Sequence, residues 1–436
     1  MKSILSILLL LPFLNFAQHS VSGTFLPAEN YTYALLYQSK PSGTEYLDRS
    51  KIGEAGDFKI EMDSSYTPGM YKIVYALPAE EYNFSFIYDG KENIAITLSE
   101  DQGLAFTESS ENKLWSSYTN SINLVNRSIN NFYTQQSSDQ KALTAIFKTL
   151  GNTQDSFEQA ANGMLVSVFI KANRPYAPKE YQNLSSYSQN VKRSYLDAVD
   201  FGDPLLQSSD FLMDRVITYI FGSSEANSTA QFKTDVATLV AKIGTNNPII
   251  KTILLETIWR KFKLMDSVEM ANYVSDTYLM ALAKNANYTA LIEELKVDKS
   301  TALGSMAPNF DIEYLKDGKA VKTNLYDLAG AENYLLIFWS STCGHCQEEL
   351  PKIKELLSNK PNVNVIAIGL EDDDVIWKNA IKQFPEFIQV LGLGRWDNPI
   401  SNDYGIASTP TYFLLNHKKE IIAKPYDVEA LKAELE

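Results

Sequence analysis

The chain has 436 residues, of which 45% are apolar and 21% charged, a composition that is typical of globular proteins and excludes a fibrous or disordered chain. This length exceeds one ordinary hydrophobic core and predicts two or three domains. With 39 basic against 53 acidic side chains, the net charge of −14 argues against nucleic acid and anionic membrane surfaces as partners.

The first 17 residues have the composition of a secretory signal peptide. Lys2 supplies a positive charge, an apolar run from Ile4 to Leu14 follows, and Ala17 is the small residue expected before a cleavage site. The run is too short to span a bilayer comfortably, which makes an uncleaved anchor the weaker alternative. We therefore expect a signal peptide at 1–17, a location in the periplasm and no stable membrane insertion.

Residues 19–105 have the pattern of short β-strands. Residues 57–62 alternate between polar and apolar side chains, and 71–75 and 93–98 do the same. Glycine, proline, asparagine and aspartate separate these stretches at short intervals, which is typical of tight turns. The sequence predicts an antiparallel β-sandwich domain at 19–105.

Residues 110–298 have apolar side chains at helical spacing. Asp210 is suited to cap one helix, and Pro248 is suited to be the first residue of another. No motif recurs at a fixed period, so a solenoid of repeats is not expected. The sequence predicts a central all-α region at 110–298, with its apolar stripes forming a helix–helix core.

Residues 304–436 alternate between continuous apolar strands and helices. Strands are predicted at 334–339 and 363–370, and the helices that follow them at 346–357 and 375–384. Continuous apolar strands indicate a sheet that is covered on both faces. The chain as a whole is therefore predicted to be multidomain, with a C-terminal α/β domain.

The chain has two cysteines, Cys343 and Cys346, and both lie in one short motif. A structural disulfide framework would distribute cysteines across the domains, so this spacing points to redox chemistry. Cys343 is expected at a helix N-terminus, where unpaired N–H groups and the helix dipole lower the pKa of a thiol. Cys346 lies one turn further on, where it can resolve a mixed disulfide that Cys343 has formed.

Several residues around this motif resemble the thioredoxin superfamily and, within it, the TlpA/ResA-like periplasmic oxidoreductases. The resemblance covers about Ala307 to Glu436 and implies the thioredoxin fold, with a cis proline in the loop beside the cysteines. Residues 19–105 also resemble the β-domain of unknown function that often precedes such domains. The matching positions are Trp339 before the motif, Cys343, Cys346, Glu349 and Pro351 after it, and Thr409, Pro410 and Thr411 in the proline loop.

One position departs from the superfamily pattern. Many thioredoxins carry a buried acid two residues before the tryptophan, and this chain has Ile337 there. The acid helps to remove the proton of the resolving cysteine. Glu349, one turn after Cys346, is a candidate substitute, and a glutamate on the helix surface is the alternative interpretation.

His345 lies between the two cysteines and adds positive charge near the thiolate. The Gly-His pair also occurs in protein disulfide isomerase, whose potential is about −180 mV, against about −270 mV for thioredoxin. A Cys-His-Cys metal site is not expected, because three ligands within four residues cannot close a tetrahedron around zinc. We predict neither a metal nor an organic cofactor.

For the acidic run at 371–374 and for Trp396, a structural role is favoured over a role in the active site. The acidic run at 371–374 is predicted to be a solvated loop and helix cap, although it could face the rim of the active site. Trp396 is predicted to pack, with contact to substrate as the alternative.

The sequence therefore predicts a thiol-disulfide oxidoreductase of the cell envelope. Its partners would be protein thiols and disulfides, together with a redox partner that the sequence does not identify. A thiol peroxidase of the same fold is one alternative, but Leu336 and Ser340 occupy the positions of the proline and the activating threonine of that class. The other alternative is a redox-sensing binding protein in which the β-sandwich and the helices hold a partner.

Overall fold

The computed structural model describes residues 19–41, 43–222, 228–245, 247–316 and 319–436, so the predicted signal peptide lies outside the described residues. The chain divides into two compact units between Leu254 and Leu255. This division falls within the region 110–298, so the expected helical domain is shared between the units. The domain boundaries at 105, 110, 298 and 304 stay a prediction.

The described part of the first unit begins with eight strands in two sheets whose inner faces share one core. Val21 and Phe25 of one sheet pack with Leu36, Tyr71 and Ile73 of the other, which confirms the predicted β-sandwich. The sheets have the orders β4-β1-β7-β8 and β3-β2-β5-β6. The strands are β1 (Ser20–Leu26), β2 (Tyr33–Lys40), β3 (Gly43–Lys51), β4 (Asp57–Glu61), β5 (Gly69–Val74), β6 (Asn83–Tyr88), β7 (Ile94–Ser99) and β8 (Gly103–Glu108).

One strand pair differs from the antiparallel arrangement that the sequence predicts. Strands β1 and β7 run parallel, with Val21 opposite Ile94. A parallel pair needs a long crossover connection, and here the other sheet lies between the two strands in the sequence. One of the two sheets of the sandwich therefore contains both parallel and antiparallel strand pairs.

Seven helices follow among the described residues of the first unit, and the first of them is attached to the sandwich. Asn112 accepts a hydrogen bond from the N–H of Ile87 and donates one to its carbonyl, both at 2.8 Å. Met70 and Ile87 pack in the same core as Tyr118 of the first helix. The helices are α1 (Ser110–Thr134), α2 (Gln140–Ala160), α3 (Ser167–Ala172), α4 (Leu184–Ser194), α5 (Pro204–Gln207), α6 (Asp210–Phe221) and α7 (Thr229–Ile243), and α8 (Pro248–Leu264) spans the division between the units.

The second unit contains three more helices and the C-terminal domain. The helices are α9 (Val268–Val274), α10 (Met280–Asn285), joined to α9 by a π-helical turn, and α11 (Thr289–Ser300). The domain that follows contains β9 (Asp311–Lys316), β10 (Lys319–Asn324), β11 (Asn333–Trp339), α12 (Gly344–Leu357), β12 (Val363–Glu371), α13 (Val375–Ala380), β13 (Ile388–Leu393), α14 (Pro399–Tyr404), β14 (Thr411–Asn416), β15 (Ile421–Ala423) and α15 (Val428–Leu435).

The main sheet of this domain has the order β13-β12-β11-β14-β15, with β11 in the centre. Strands β12 and β13 run parallel to β11, and β14 runs antiparallel to it. Alternate residues of β11 enter two separate cores. Ile337 and Trp339 pack beneath α12, whereas Leu336 and Phe338 pack on the opposite face with Tyr404 of α14. This confirms the predicted α/β domain with the thioredoxin fold and a sheet covered on both faces.

Within the described part of the chain, no helix has the length and apolar character that crossing a membrane requires.

Candidate active site

The two cysteines lie where central strand β11 leads into helix α12. Cys343 is the N-cap residue of α12, with an extended backbone at φ −87° and ψ 114°. Its Sγ accepts a hydrogen bond from the N–H of Cys346 at 3.3 Å. A side chain in this position uses an N–H group that would otherwise have no partner in the helix. The structure therefore places Cys343 at the helix start that the sequence predicts.

Cys343 is partly exposed, and both cysteines are free thiols in this structure. Burial by itself raises the pKa of Cys343. Hydrogen bonds from the Cys346 thiol and from the N–H groups of Cys346 and His345 outweigh this effect and hold the pKa of Cys343 below its ordinary value. Because the thiolate is the nucleophilic form, this environment suits attack on a disulfide.

Cys346 has the opposite environment. Its side chain is fully buried in the core beneath α12. Burial, together with the hydrogen bond to Cys343, raises the pKa of Cys346 to about 12. A thiol with such a pKa does not ionise spontaneously near neutral pH, so it needs a proton acceptor before it can attack.

The proline loop lies directly beside the cysteines. The Thr409–Pro410 peptide bond is cis, as the resemblance implies. The thiol of Cys343 donates a hydrogen bond to the carbonyl of Thr409 at 3.5 Å. This placement follows from sheet pairing, because Thr411, the first residue of β14, lies opposite Phe338 near the end of β11.

Trp339 lies in the core beneath the cysteine pair. It is 1% exposed and packs in the same cluster as Cys346 and Leu350 of α12. Its ring meets that of Phe384 edge to face, with 6.4 Å between the centroids. The indole therefore supports the segment that carries the motif.

Glu349 is buried, not a surface glutamate. It is 5% exposed, on the inner side of α12. One carboxylate oxygen accepts a hydrogen bond from the N–H of Val428 at 3.2 Å. The other lies 3.0 Å from Nζ of Lys352. Glu349 therefore remains a candidate to accept the proton of Cys346. Ile337, which occupies the position of the superfamily's buried acid, is fully buried and apolar and cannot accept a proton.

His345 is exposed at the second helical position of α12, where its imidazole faces solvent. The described residues include no cluster of histidine, cysteine, aspartate or glutamate that could hold a metal ion.

Glu371 belongs to this site, although the sequence analysis favoured a solvated loop and kept the rim of the active site as the alternative. It ends β12, is 3% exposed, and accepts a hydrogen bond from the N–H of Ser341 at 2.5 Å. The expectation of a solvated loop is therefore wrong for this residue. Its position could have been found from strand order, because Gly369 of parallel strand β12 lies opposite Trp339 and places the end of β12 beside the motif.

Arg395 reaches the same loop from the other side. Its guanidinium donates a hydrogen bond to the hydroxyl of Thr342 at 2.9 Å and lies 3.2 Å from the carboxylate of Asp372. The next residue, Trp396, is 45% exposed, so the expectation that it packs is not met. The two residues before Cys343, Ser341 and Thr342, are thus held by side chains from β12 and from the segment after β13.

Comparisons with known proteins agree with this geometry. The Redoxin family model matches residues 302–434. The thiol-disulfide oxidoreductase ResA of Bacillus cereus is 31% identical over 125 residues, which are 28% of this chain and 68% of that protein. ResA of Bacillus anthracis is 31% identical over 123 residues, which are 28% and 67%. The thiol:disulfide interchange protein DsbE of Xylella fastidiosa is 31% identical over 125 residues, 27% of this chain and 58% of that one.

Among solved structures, a thioredoxin-like protein from Bacteroides caccae is similar to 60% of this chain and 96% of its own, with 17% identity and a TM-score of 0.42. The thioredoxin domain of a thiol-disulfide oxidoreductase from Bacteroides vulgatus covers 31% of this chain, with 25% identity and a TM-score of 0.27. The fold, the Redoxin match and the identity to ResA proteins agree with one another. The chain therefore belongs to the thioredoxin superfamily and, within it, to the TlpA/ResA-like thiol-disulfide oxidoreductases.

Proposed function

We propose that Cys343 and Cys346 exchange disulfides with protein substrates in the periplasm. The observation that carries the proposal is the contrast between the two thiols: Cys343 is partly exposed at a helix N-terminus, and Cys346 is buried one turn further on. An exposed nucleophile can reach a substrate disulfide, and a buried partner within bonding reach can release the product. The periplasmic location rests on the signal peptide predicted at 1–17.

The reaction in the reductive direction has two steps. The Cys343 thiolate attacks one sulfur of the substrate disulfide, so that a mixed disulfide forms and the other substrate sulfur leaves as a thiolate. Cys346 then loses its proton and attacks Sγ of Cys343, which forms the Cys343–Cys346 disulfide and releases the second substrate thiolate. Two electrons pass to the substrate, and an external dithiol must return them to the enzyme.

The surrounding residues have roles that follow from their positions. Thr409 and Pro410 form the rim beside Cys343, where an extended substrate segment would lie. Trp339 supports the cysteine pair from the core. Glu349 accepts the proton of Cys346. His345 lies between the two cysteines in the sequence and favours the reduced form.

The test is an equilibration of the protein with glutathione buffers, in which the free thiols are alkylated and the products are weighed by mass spectrometry. We expect a reversible Cys343–Cys346 disulfide with a potential nearer to about −180 mV than to about −270 mV. His345→Gln should lower that potential by on the order of 30 mV, about a tenfold change in the equilibrium constant, because it removes the imidazole and keeps the N–H.

His345→Pro serves as the comparison variant. It removes the imidazole and also the N–H that supports the Cys343 thiolate, so its potential should fall further than that of His345→Gln. A protein that forms no disulfide between the two cysteines at any buffer ratio would overturn the proposed function. A potential at or below about −270 mV would overturn the role of His345 alone.

A further inference from the structure

The hydroxyl group of Tyr412 is buried and lacks a hydrogen bond to the described residues. Tyr412 lies in β14, is 1% exposed, and shares the core beneath α12 with Cys346 and Trp339. Its Oη has no hydrogen-bond partner within the described part of the chain. Buried hydroxyl groups are nearly always paired, so one without a partner calls for an explanation, and a catalytic role is one such explanation.

Tyr412 lies beside the position at which many thioredoxins carry a buried acid. It lies directly opposite Ile337 in the antiparallel pair of β11 and β14. Ile337 is the position at which many thioredoxins carry their buried acid. Cross-strand neighbours on one face lie about 5 Å apart, so a side chain from β14 can enter the space that the acid occupies elsewhere.

The titratable groups that face Tyr412 come from two directions. Glu349, Cys346 and Cys343 belong to α12 and its N-cap, and Asp427 precedes α15. Burial first, and then the charge of Glu349, raise the pKa of Tyr412. The phenol therefore stays protonated at neutral pH. It lies in the same core as a thiol that must lose a proton, and it is close enough to the Glu349 carboxylate to feel its charge.

We infer that, during resolution of the mixed disulfide, the Tyr412 hydroxyl forms hydrogen bonds with Cys346 and Glu349 that are absent from the described residues of this dithiol structure, and relays the proton of Cys346 to Glu349. The phenol gives its own proton to a carboxylate oxygen of Glu349 and takes the proton of Cys346, so that Tyr412 is neutral before and after the step. The Cys346 thiolate then attacks Sγ of Cys343, and the substrate leaves as a thiolate. Each carboxylate oxygen of Glu349 has one hydrogen bond among the described residues, and a carboxylate oxygen can accept two. This inference rests on the proposed function.

The test uses the full chain with Tyr412→Phe, which removes the hydroxyl and keeps the ring. A peptide disulfide with a fluorophore and a quencher on its two halves, followed by stopped flow and rapid acid quench, separates attack by Cys343 from resolution by Cys346. We expect attack to be unchanged and resolution to be at least about tenfold slower at pH 7, within the range of general acid–base effects. The difference in resolution rate between Tyr412→Phe and the wild type should shrink as the pH rises, because hydroxide then removes the proton of Cys346 directly.

Tyr404→Phe is the matched control. Tyr404 is also buried, but it lies in the core on the opposite face of the sheet, and its hydroxyl donates a hydrogen bond to the carbonyl of Pro308 at 2.7 Å. Its loss should lower stability without changing resolution. Tyr412→Phe should show the reverse pattern, because it removes a hydroxyl that has no hydrogen bond to any residue that the structure describes.

Glu349→Gln provides a second and independent variant. As with Tyr412→Phe, its rate of resolution should rise more steeply with pH than the wild-type rate does. The double variant should resolve no more slowly than the slower single variant, because both changes interrupt one relay. Resolution by Tyr412→Phe at the wild-type rate, or slower resolution with the wild-type pH dependence, would overturn the relay and leave the proposed function standing. A wild-type protein that does not attack the peptide at all would overturn the proposed function, and the relay with it.

Discussion

The Cys343→Ser protein is expected to lose disulfide reductase turnover by at least about a thousandfold. A serine hydroxyl is not ionised near neutral pH and forms no disulfide, so the first bond to the substrate cannot form. Cys346 cannot replace it, because its thiol is buried and its pKa is raised to about 12. Turnover is measured with a protein disulfide as substrate and a small dithiol as the reductant.

The pH dependence of the wild-type protein checks the same assignment. Because the pKa of Cys343 lies below its ordinary value, the thiolate that attacks persists at lower pH than a free thiolate does. Attack should therefore fall off only as the pH drops through that lowered pKa, which lies below the value of about 8.5 for a free thiol. An attack rate that rises only above about pH 8.5 would show that the N-cap position does not activate Cys343.

Trp339→Ala is expected to lower the free energy of unfolding of the C-terminal domain by roughly 3–5 kcal/mol, the usual effect of truncating a buried aromatic side chain. The indole is buried in the core beneath the cysteine pair, in the same cluster as Cys346 and Leu350 of α12. In a Cys343→Ser background, Cys346 is the only thiol in the chain, because the sequence has two cysteines. Pulsed alkylation of Cys346 across a urea series then reports unfolding of this domain alone.

Trp396→Ala is the control for this experiment. Trp396 is 45% exposed, and substitutions at such surface positions usually change stability by less than about 0.5 kcal/mol. Its urea midpoint should therefore match that of the Cys343→Ser parent. If the Trp339 and Trp396 variants expose Cys346 at the same urea concentration, the core role of Trp339 is wrong.

The parts of the site that depend on local sequence could be predicted. An apolar strand followed by Cys343 and a helical pattern is enough to place that cysteine at a helix start, because the N-cap position is decided by a few neighbouring residues. The position of Pro410 beside it came from the family resemblance, since no local signal joins two segments more than 60 residues apart. The β-sandwich and the covered sheet were likewise predictable from alternating and continuous apolar strands.

The parts that depend on strand order and register could not be predicted in the same way. Glu371 supports the motif because β12 pairs in parallel with β11. Tyr412 enters the core that contains Cys346 because it lies opposite Ile337. A shift of one residue in either pairing would move these side chains to the other face of the sheet. The parallel pairing of β1 with β7 is a third feature of this kind, because it joins strands that are distant in the sequence.

The central claim is that Cys343 attacks the substrate and Cys346 resolves the mixed disulfide. The most direct measurement is isolation of covalent complexes with a protein disulfide substrate from Cys346→Ser and Cys343→Ser proteins, with the linkage mapped by mass spectrometry. We predict that Cys346→Ser accumulates a mixed disulfide through Cys343 that a small dithiol releases, and that Cys343→Ser accumulates almost none. Accumulation in Cys343→Ser through Cys346, with none in Cys346→Ser, would contradict the account.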